Sequence, residues 1–263
     1  MRVIYISKSK ILRIILSIMI VLTSYAFVSE YENDALSVFL NKKRELPIYS
    51  VETNEKKVAI SFDAAWGAEY TPKILDILDE RNIKTTFFLV GFWIDKYPER
   101  VREIAERGHE VANHSTTHPQ MSKLSKEQIM TEIITTQKKI EKLAGNRAVR
   151  LFRPPFGDYN DLLIHTCREL DFHVIQWDVD SLDWKELGVD HMFKRVTENI
   201  NKGSIVLFHN NARYITEALP LILDHLLAEG YEIVPVSELI YEDNYRLDHT
   251  GRQHPIKNEN VGS

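Results

Sequence analysis

The sequence predicts an α/β fold in which parallel strands alternate with helices, on three observations. Seven short apolar runs rich in Val, Ile and Phe recur between Val58 and Val236. An amphipathic segment lies between each run and the next. The composition, 44% hydrophobic and 27% charged over 263 residues, is that of a globular domain and excludes collagen-like, disordered and multi-span membrane chains. An α/β barrel and an open doubly wound sheet both fit this alternation.

The elements follow in chain order. Arg2, Lys8, Lys10 and Arg13 precede an apolar run over residues 14–28, and the acids Glu30, Glu32 and Asp34 follow at once. That asymmetry is the pattern of a signal peptide or membrane anchor over residues 1–28, with the rest of the chain exported. Residues 29–55 are polar and mixed and read as a linker. The strands are expected at Val58–Phe62, Thr85–Val90, Glu110–Asn113, Arg150–Arg153, Val174–Val179, Ser204–Phe208 and Glu232–Val236. Thr71 followed by Pro72 marks the start of a helix that should run to about Arg81. Pro98–Arg107 is a second, stopped by Gly108. Ser125-Lys126-Glu127-Gln128 is a capping box, with Ile129, Ile133, Ile140 and Leu143 behind it and Gly145 at the far end. Helices at Asp161–Leu170, Val189–Asn201 and Thr216–Glu229 complete the set, so the folded domain spans residues 56–240. The tail, residues 241–263, is polar and reads as disordered.

Charge and cysteine usage narrow the function classes. A net charge of −5 gives no basic surface for nucleic acid. Cys167 is the only cysteine, so neither an intrachain disulfide nor a cysteine-rich zinc site can form, and any metal must be held by His and carboxylates. No glycine-rich phosphate loop follows the first strand.

In parallel β/α folds chemistry collects where strands end. The first strand ends at Asp63, the third at Asn113-His114 with His118 four residues on, and the fourth at Arg153-Pro154-Pro155-Phe156-Gly157. The fifth leads into Asp178, Asp180, Asp183 and Trp184, and the sixth ends at His209. Each residue alone has two readings. His114 and His118 have the i, i+4 spacing of metal ligands and equally fit two surface histidines. Asp63 fits a base, a ligand or a loop cap, and Arg153 could hold it ionised. His209 fits a general acid or a satisfied core histidine. Trp184 and Trp66 fit sugar stacking or core packing. Cys167 lies among apolar neighbours on a helix and reads as packing.

Taken in order, Ser61-Phe62-Asp63, His114-Ser115-Thr116-Thr117-His118, Arg153-Pro154-Pro155-Phe156-Gly157, Asp180-Ser181-Leu182-Asp183-Trp184 and Leu207-Phe208-His209 resemble the motifs of the polysaccharide deacetylases, the NodB-homology enzymes of carbohydrate esterase family 4. The resemblance covers about residues 56–240, and Phe62–Gly67 looks like the subgroup found in spore-forming bacilli. It implies an irregular (β/α) barrel of seven to eight parallel strands. It also implies metal-dependent removal of N-acetyl groups from peptidoglycan or a related glycan, in the cell or spore envelope, by a monomer. By resemblance Asp63 is the general base, His114 and His118 bind a divalent metal, typically zinc, and Arg153 orients Asp63. Asp180 holds His209, which protonates the leaving amine. Trp184 and Leu207 line the acetyl pocket, and Phe156 contacts substrate. One departure stands out: the family's second aspartate, its third metal ligand, is Ala64 here. Glu69 is the nearest carboxylate in sequence that could replace it. The departure opens two alternatives, a wall-glycan-binding protein with impaired chemistry and a metal-independent amidase on the same barrel.

Overall fold

The computed structural model describes residues 16–23 and 44–256, and the chain divides into two units, Met1–Arg44 and Glu45–Ser263. In the first, residues 16–23 are helical (α1) with exposed side chains. The rest of the expected signal or anchor lies outside the described residues. Among those described, no helix is long and apolar enough to cross a membrane.

The second unit runs β1 (Ser50–Val51), β2 (Lys57–Ala64), α2 (Thr71–Asp79), β3 (Thr86–Leu89), α3 (Gly91–Lys96), α4 (Pro98–Glu106), β4 (Glu110–Asn113) and α5 (Lys126–Ala144). It continues with β5 (Ala148–Phe152), α6 (Asp161–Glu169), β6 (His173–Val174), β7 (Val179–Asp180), α7 (Val189–Thr197), β8 (Ile205–His209) and α8 (Ile215–Ala228). It closes with β9 (Glu232–Val234), α9 (Val236–Leu239), β10 (Tyr245–Leu247) and β11 (Arg252–Pro255). The main sheet has eight strands in the order β6-β5-β4-β3-β2-β8-β7, with β9 beside the start of β2, and every pairing is parallel. This is the expected irregular (β/α) barrel.

Strand alternation divides the side chains of β2 between two layers. Val58, Ile60, Phe62 and Ala64 join the large apolar cluster beneath the helices, where Phe62 stacks on Phe87 and Phe208 at 5.0 and 5.7 Å. Ala59 points the other way, into a smaller cluster with Phe88, Ala112, Leu151, Ile175 and Ile205 that fills the barrel. Ser61 and Asp63 alternate with the helix-facing residues too, so they share the interior side.

The helices agree with their expected bounds to within a residue or two, except α7, which ends at Thr197, four residues short of the expected Asn201. The capping box at Ser125 forms, and Gly145 ends α5 at φ +55°. Thr71 is the first residue of α2 rather than its cap, because Tyr70 precedes the first helical turn and Pro72 follows one place later. The short α3 was not signalled, since six residues give too little periodicity.

Two expectations change. The run Val174–Val179 is two short strands, because the chain crosses here from the β5 edge to the β8 edge. Ile175 N–H bonds to Phe152, whereas Asp178 N–H bonds to Ile205, and one straight strand cannot pair with both. The segments read as linker and disordered tail are both structured within residues 45–55 and 241–256. β1 pairs with β11 and β11 with β10, forming a second sheet of three strands. Just before it Ile48 bridges Ile175, and Ser50, which opens β1, bridges Ser204. The segment thus fills the seam left by the crossing. Gly203, at φ +78°, makes room for it: a Cβ there would run into the carbonyl of Val51.

Candidate active site

Asp63 lies near the end of β2, in register with Phe88 on one side and His209 on the other. Neighbouring strands run about 4.8 Å apart, so the Asp63 and His209 side chains leave the sheet side by side on one face. Arg153, just beyond β5, is fully buried and lies over the Phe88 ring at 4.0 Å. It donates to Asp63 Oδ1 at 2.8 Å, to Ser61 Oγ at 2.9 Å and to the Gln176 carbonyl at 3.2 Å. Burial would raise the pKa of Asp63, but Arg153, helped by the neighbouring histidines, holds it below the usual carboxylate range. Arg153 and Asp63 thus form a buried, hydrogen-bonded ion pair. Ser61 is the second anchor of the guanidinium, a role that its place in the motif Ser61-Phe62-Asp63 did not signal.

His114 follows β4. Its Nδ1 lies 2.7 Å from the Arg153 carbonyl, which can only accept, so Nδ1 carries the hydrogen. Burial lowers the pKa of His114 against the pull of Asp63, leaving Nε2 a bare lone pair. That lone pair faces Asp63 Oδ2 across 3.4 Å. Two acceptors so placed invite a cation or a proton between them. His118 packs edge-on against His114 with ring centroids 5.0 Å apart, and burial above all lowers its pKa to about 4. Both imidazoles are therefore unprotonated donors at neutral pH. The loop that carries them is held from α5, where the Glu132 carboxylate accepts from Thr116 N, Thr117 N and Thr117 Oγ, each at 2.8 Å. Ser115 at φ +69° and His118 at φ +59° are left-handed, strain of the kind that collects at functional sites.

A metal centre of the implied kind takes three protein donors. Ala64 offers a methyl group and is fully buried in the helix-facing cluster. Glu69 does not replace it: it is exposed, and its carboxylate folds against Gly67. Among the described residues, no three His, Cys, Asp or Glu side chains stand close enough to hold a metal. The donor set stops at two imidazoles and does not fit a complete metal centre.

The partner of His209 differs from expectation. Asp183, not Asp180, holds it: Asp183 Oδ1 is 2.7 Å from His209 Nδ1, and Oδ2 accepts from His209 N at 2.6 Å. Burial alone would lower the pKa of His209, but its bond to Asp183 reverses the sign and raises it above 6.5. Asp180 shapes the turn instead. Its Oδ1 accepts from Leu182 N at 2.9 Å, and Leu182 then turns left-handed at φ +54°, which brings Asp183 back under the ring. Leu207 is buried two residues before His209 and points to the same side of β8. Trp184 is 57% exposed and Phe156 66%. Asp178 lies away from it, bonded to Ser204 Oγ and Ile205 N at the start of β8. Cys167 is buried in an apolar cluster, as read.

The motif residues thus meet at one mouth of the barrel, and the likeness to known proteins spans the same region. The polysaccharide deacetylase family model matches residues 50–175. A peptidoglycan-N-acetylglucosamine deacetylase of Bacillus cereus is 36% identical over 197 residues, which is 73% of this chain and 92% of that protein. The peptidoglycan-N-acetylmuramic acid deacetylase PdaA of Bacillus subtilis is 28% identical, covering 76% of this chain and 77% of its own. Among solved structures, a carbohydrate esterase family 4 pseudoenzyme of Bacillus anthracis superposes with a TM-score of 0.71 at 38% identity, covering 75% of this chain and 69% of that one. A mutant of that pseudoenzyme with restored enzymatic activity matches equally well. With the barrel, the ordered motifs and these relatives in agreement, the chain belongs to the polysaccharide deacetylase family, carbohydrate esterase family 4.

Proposed function

We propose that this protein is an exported deacetylase of peptidoglycan, hydrolysing the N-acetyl amide of an N-acetylglucosamine or N-acetylmuramic acid residue in the cell or spore envelope. The observation that carries the reading is the pairing of Asp63 and His209 on adjacent strands, each held in its working charge state by its own buried partner. Asp63, kept ionised by Arg153, takes a proton from water as the water oxygen adds to the acetyl carbon. His209, kept protonated by Asp183, gives its proton to the nitrogen as the carbon–nitrogen bond breaks. Acetate and the free amine leave. By the family resemblance Leu207 and Trp184 would line the pocket for the acetyl methyl. The deacetylase names of the relatives support the substrate class, and the charged start of the chain before the apolar run supports export and a membrane anchor.

A second reading, a glycan-binding protein with impaired chemistry, is favoured by Ala64 and by the likeness to a family 4 pseudoenzyme. The two are separated by measuring acetate release from peptidoglycan with and without added zinc, alongside bound metal by elemental analysis. Release that Asp63→Asn abolishes is the expected result. No release from any N-acetylated glycan under either condition overturns the enzyme in favour of the binder. Steady release without metal assigns the chain to metal-independent amide hydrolysis.

A further inference from the structure

We propose that Trp66 and Phe92 form a platform for a sugar ring flanking the one at Asp63 and His209, so that the site reads a length of N-acetylated glycan strand. The inference rests on the glycan-deacetylase reading above.

Four rings touch in succession at the mouth of the barrel. Phe156 meets His118 with centroids 4.5 Å apart, His118 meets Trp66 at 5.1 Å, and Trp66 meets Phe92 at 6.3 Å. Each follows a different strand, in turn β5, β4, β2 and β3. Trp66 is 57% exposed and Phe92 38%, so neither is a core residue, and both present apolar area to water beside polar chemistry. The rings meet tilted or edge-on, and His118 joins them to His114 of the catalytic group. An exposed indole face beside that group suits the apolar C–H face of a pyranose, whose hydroxyls stay in water at the edge.

Trp66 is also held in place. The carbonyl of the next residue, Gly67, accepts from Trp93 Nε1 at 2.6 Å and from Asn210 Nδ2 at 2.9 Å. Asn210 in turn donates its backbone N–H to the carbonyl of Asp63 at 3.1 Å. Gly67 is left-handed, at φ +60°, and a Cβ there would collide with the Glu69 carboxylate. The platform and the catalytic carboxylate are thus tied to one residue, which fixes their spacing. A fixed aromatic face loses little freedom when it binds.

The test is calorimetric titration of the full chain with N-acetylglucosamine and its dimer and tetramer, which needs no turnover. The wild type should bind the tetramer more tightly than the dimer or monomer. Trp66→Ala and Phe92→Ala should each weaken tetramer binding about five- to tenfold, the scale of one aromatic contact, and leave the monomer unchanged. Melting temperatures should stay within a degree or two, because both side chains are largely exposed. Wild-type tetramer affinity in both variants overturns the platform and leaves the glycan reading standing. Equal losses on monomer and tetramer overturn the flanking position. Failure of the wild type to bind any length overturns the glycan reading and the platform with it.

Discussion

Asp63 and Arg153 are a buried ion pair, and such a pair is costly to break from one side. Asp63→Asn should abolish acetate release and lower stability by about 3–5 kcal/mol, because the guanidinium is left buried without its counter-charge. Chemical denaturation measures the second effect. His209 carries the opposite sign. Its folded pKa lies above 6.5, so its stabilisation is complete below its unfolded pKa and is lost as pH rises through the folded value. Acetate release should fall over that same upper range. Asp183→Asn should move both the fall and the NMR titration of the ring to lower pH, whereas Asp180→Asn should barely move them. At position 64, Ala64→Asp buries a charge in the helix-facing cluster, and the expected gain, a third donor for His114 and His118, requires the carboxylate to turn round the end of β2. Its melting temperature should therefore drop in chelator and rise with zinc by more than the wild type's does. Most of the site was legible at this scale, since Asp63, His114, Arg153 and His209 all end strands whose apolar runs are plain. The choice between Asp180 and Asp183 was not. It depends on Leu182 adopting a left-handed backbone, and nothing in a leucine announces that.

Whole elements were readable in proportion to how far their own side chains define them. α5 shows this best: its capping box, apolar repeat and terminal glycine are all local, and all form. Ser125→Ala should cost about 1 kcal/mol, read as a lower melting temperature. The helix matters beyond its own stability, because Glu132 on it holds the backbone between His114 and His118. Strands whose partners come from afar were less readable. β10 and β11 are polar, with half-exposed side chains and mixed charge, and only backbone pairing makes them strands. The broken strand after α6 has the same origin, since its interruption answers two sheet edges that local sequence does not reveal.

At the scale of the molecule, the count and spacing of strands fitted a barrel and an open sheet equally, the resemblance of the ordered motifs implied the barrel, and nothing announced how it closes. The seam is filled by Ile48–Val51, and that segment is clasped by Arg252 and Gln253, through β1–β11 pairing and a 3.3 Å bond from Arg252 to Ser50 Oγ. Removing residues 241–256 should therefore lower the melting temperature and expose apolar surface to dye, rather than trim an inert tail. Gly203→Ala should do similar damage from the other side by pushing Val51 out of the seam. The clasp also bears on biogenesis. Ser50 and Arg252 are separated by 202 positions along the chain, so the contact that completes the barrel has very high contact order. A nascent chain can assemble its early β/α units, yet the seam stays open until nearly the last described residue has left the ribosome. Pulse-chase proteolysis should accordingly find protection arriving late and all at once, with the earliest-made strand among the last to be locked.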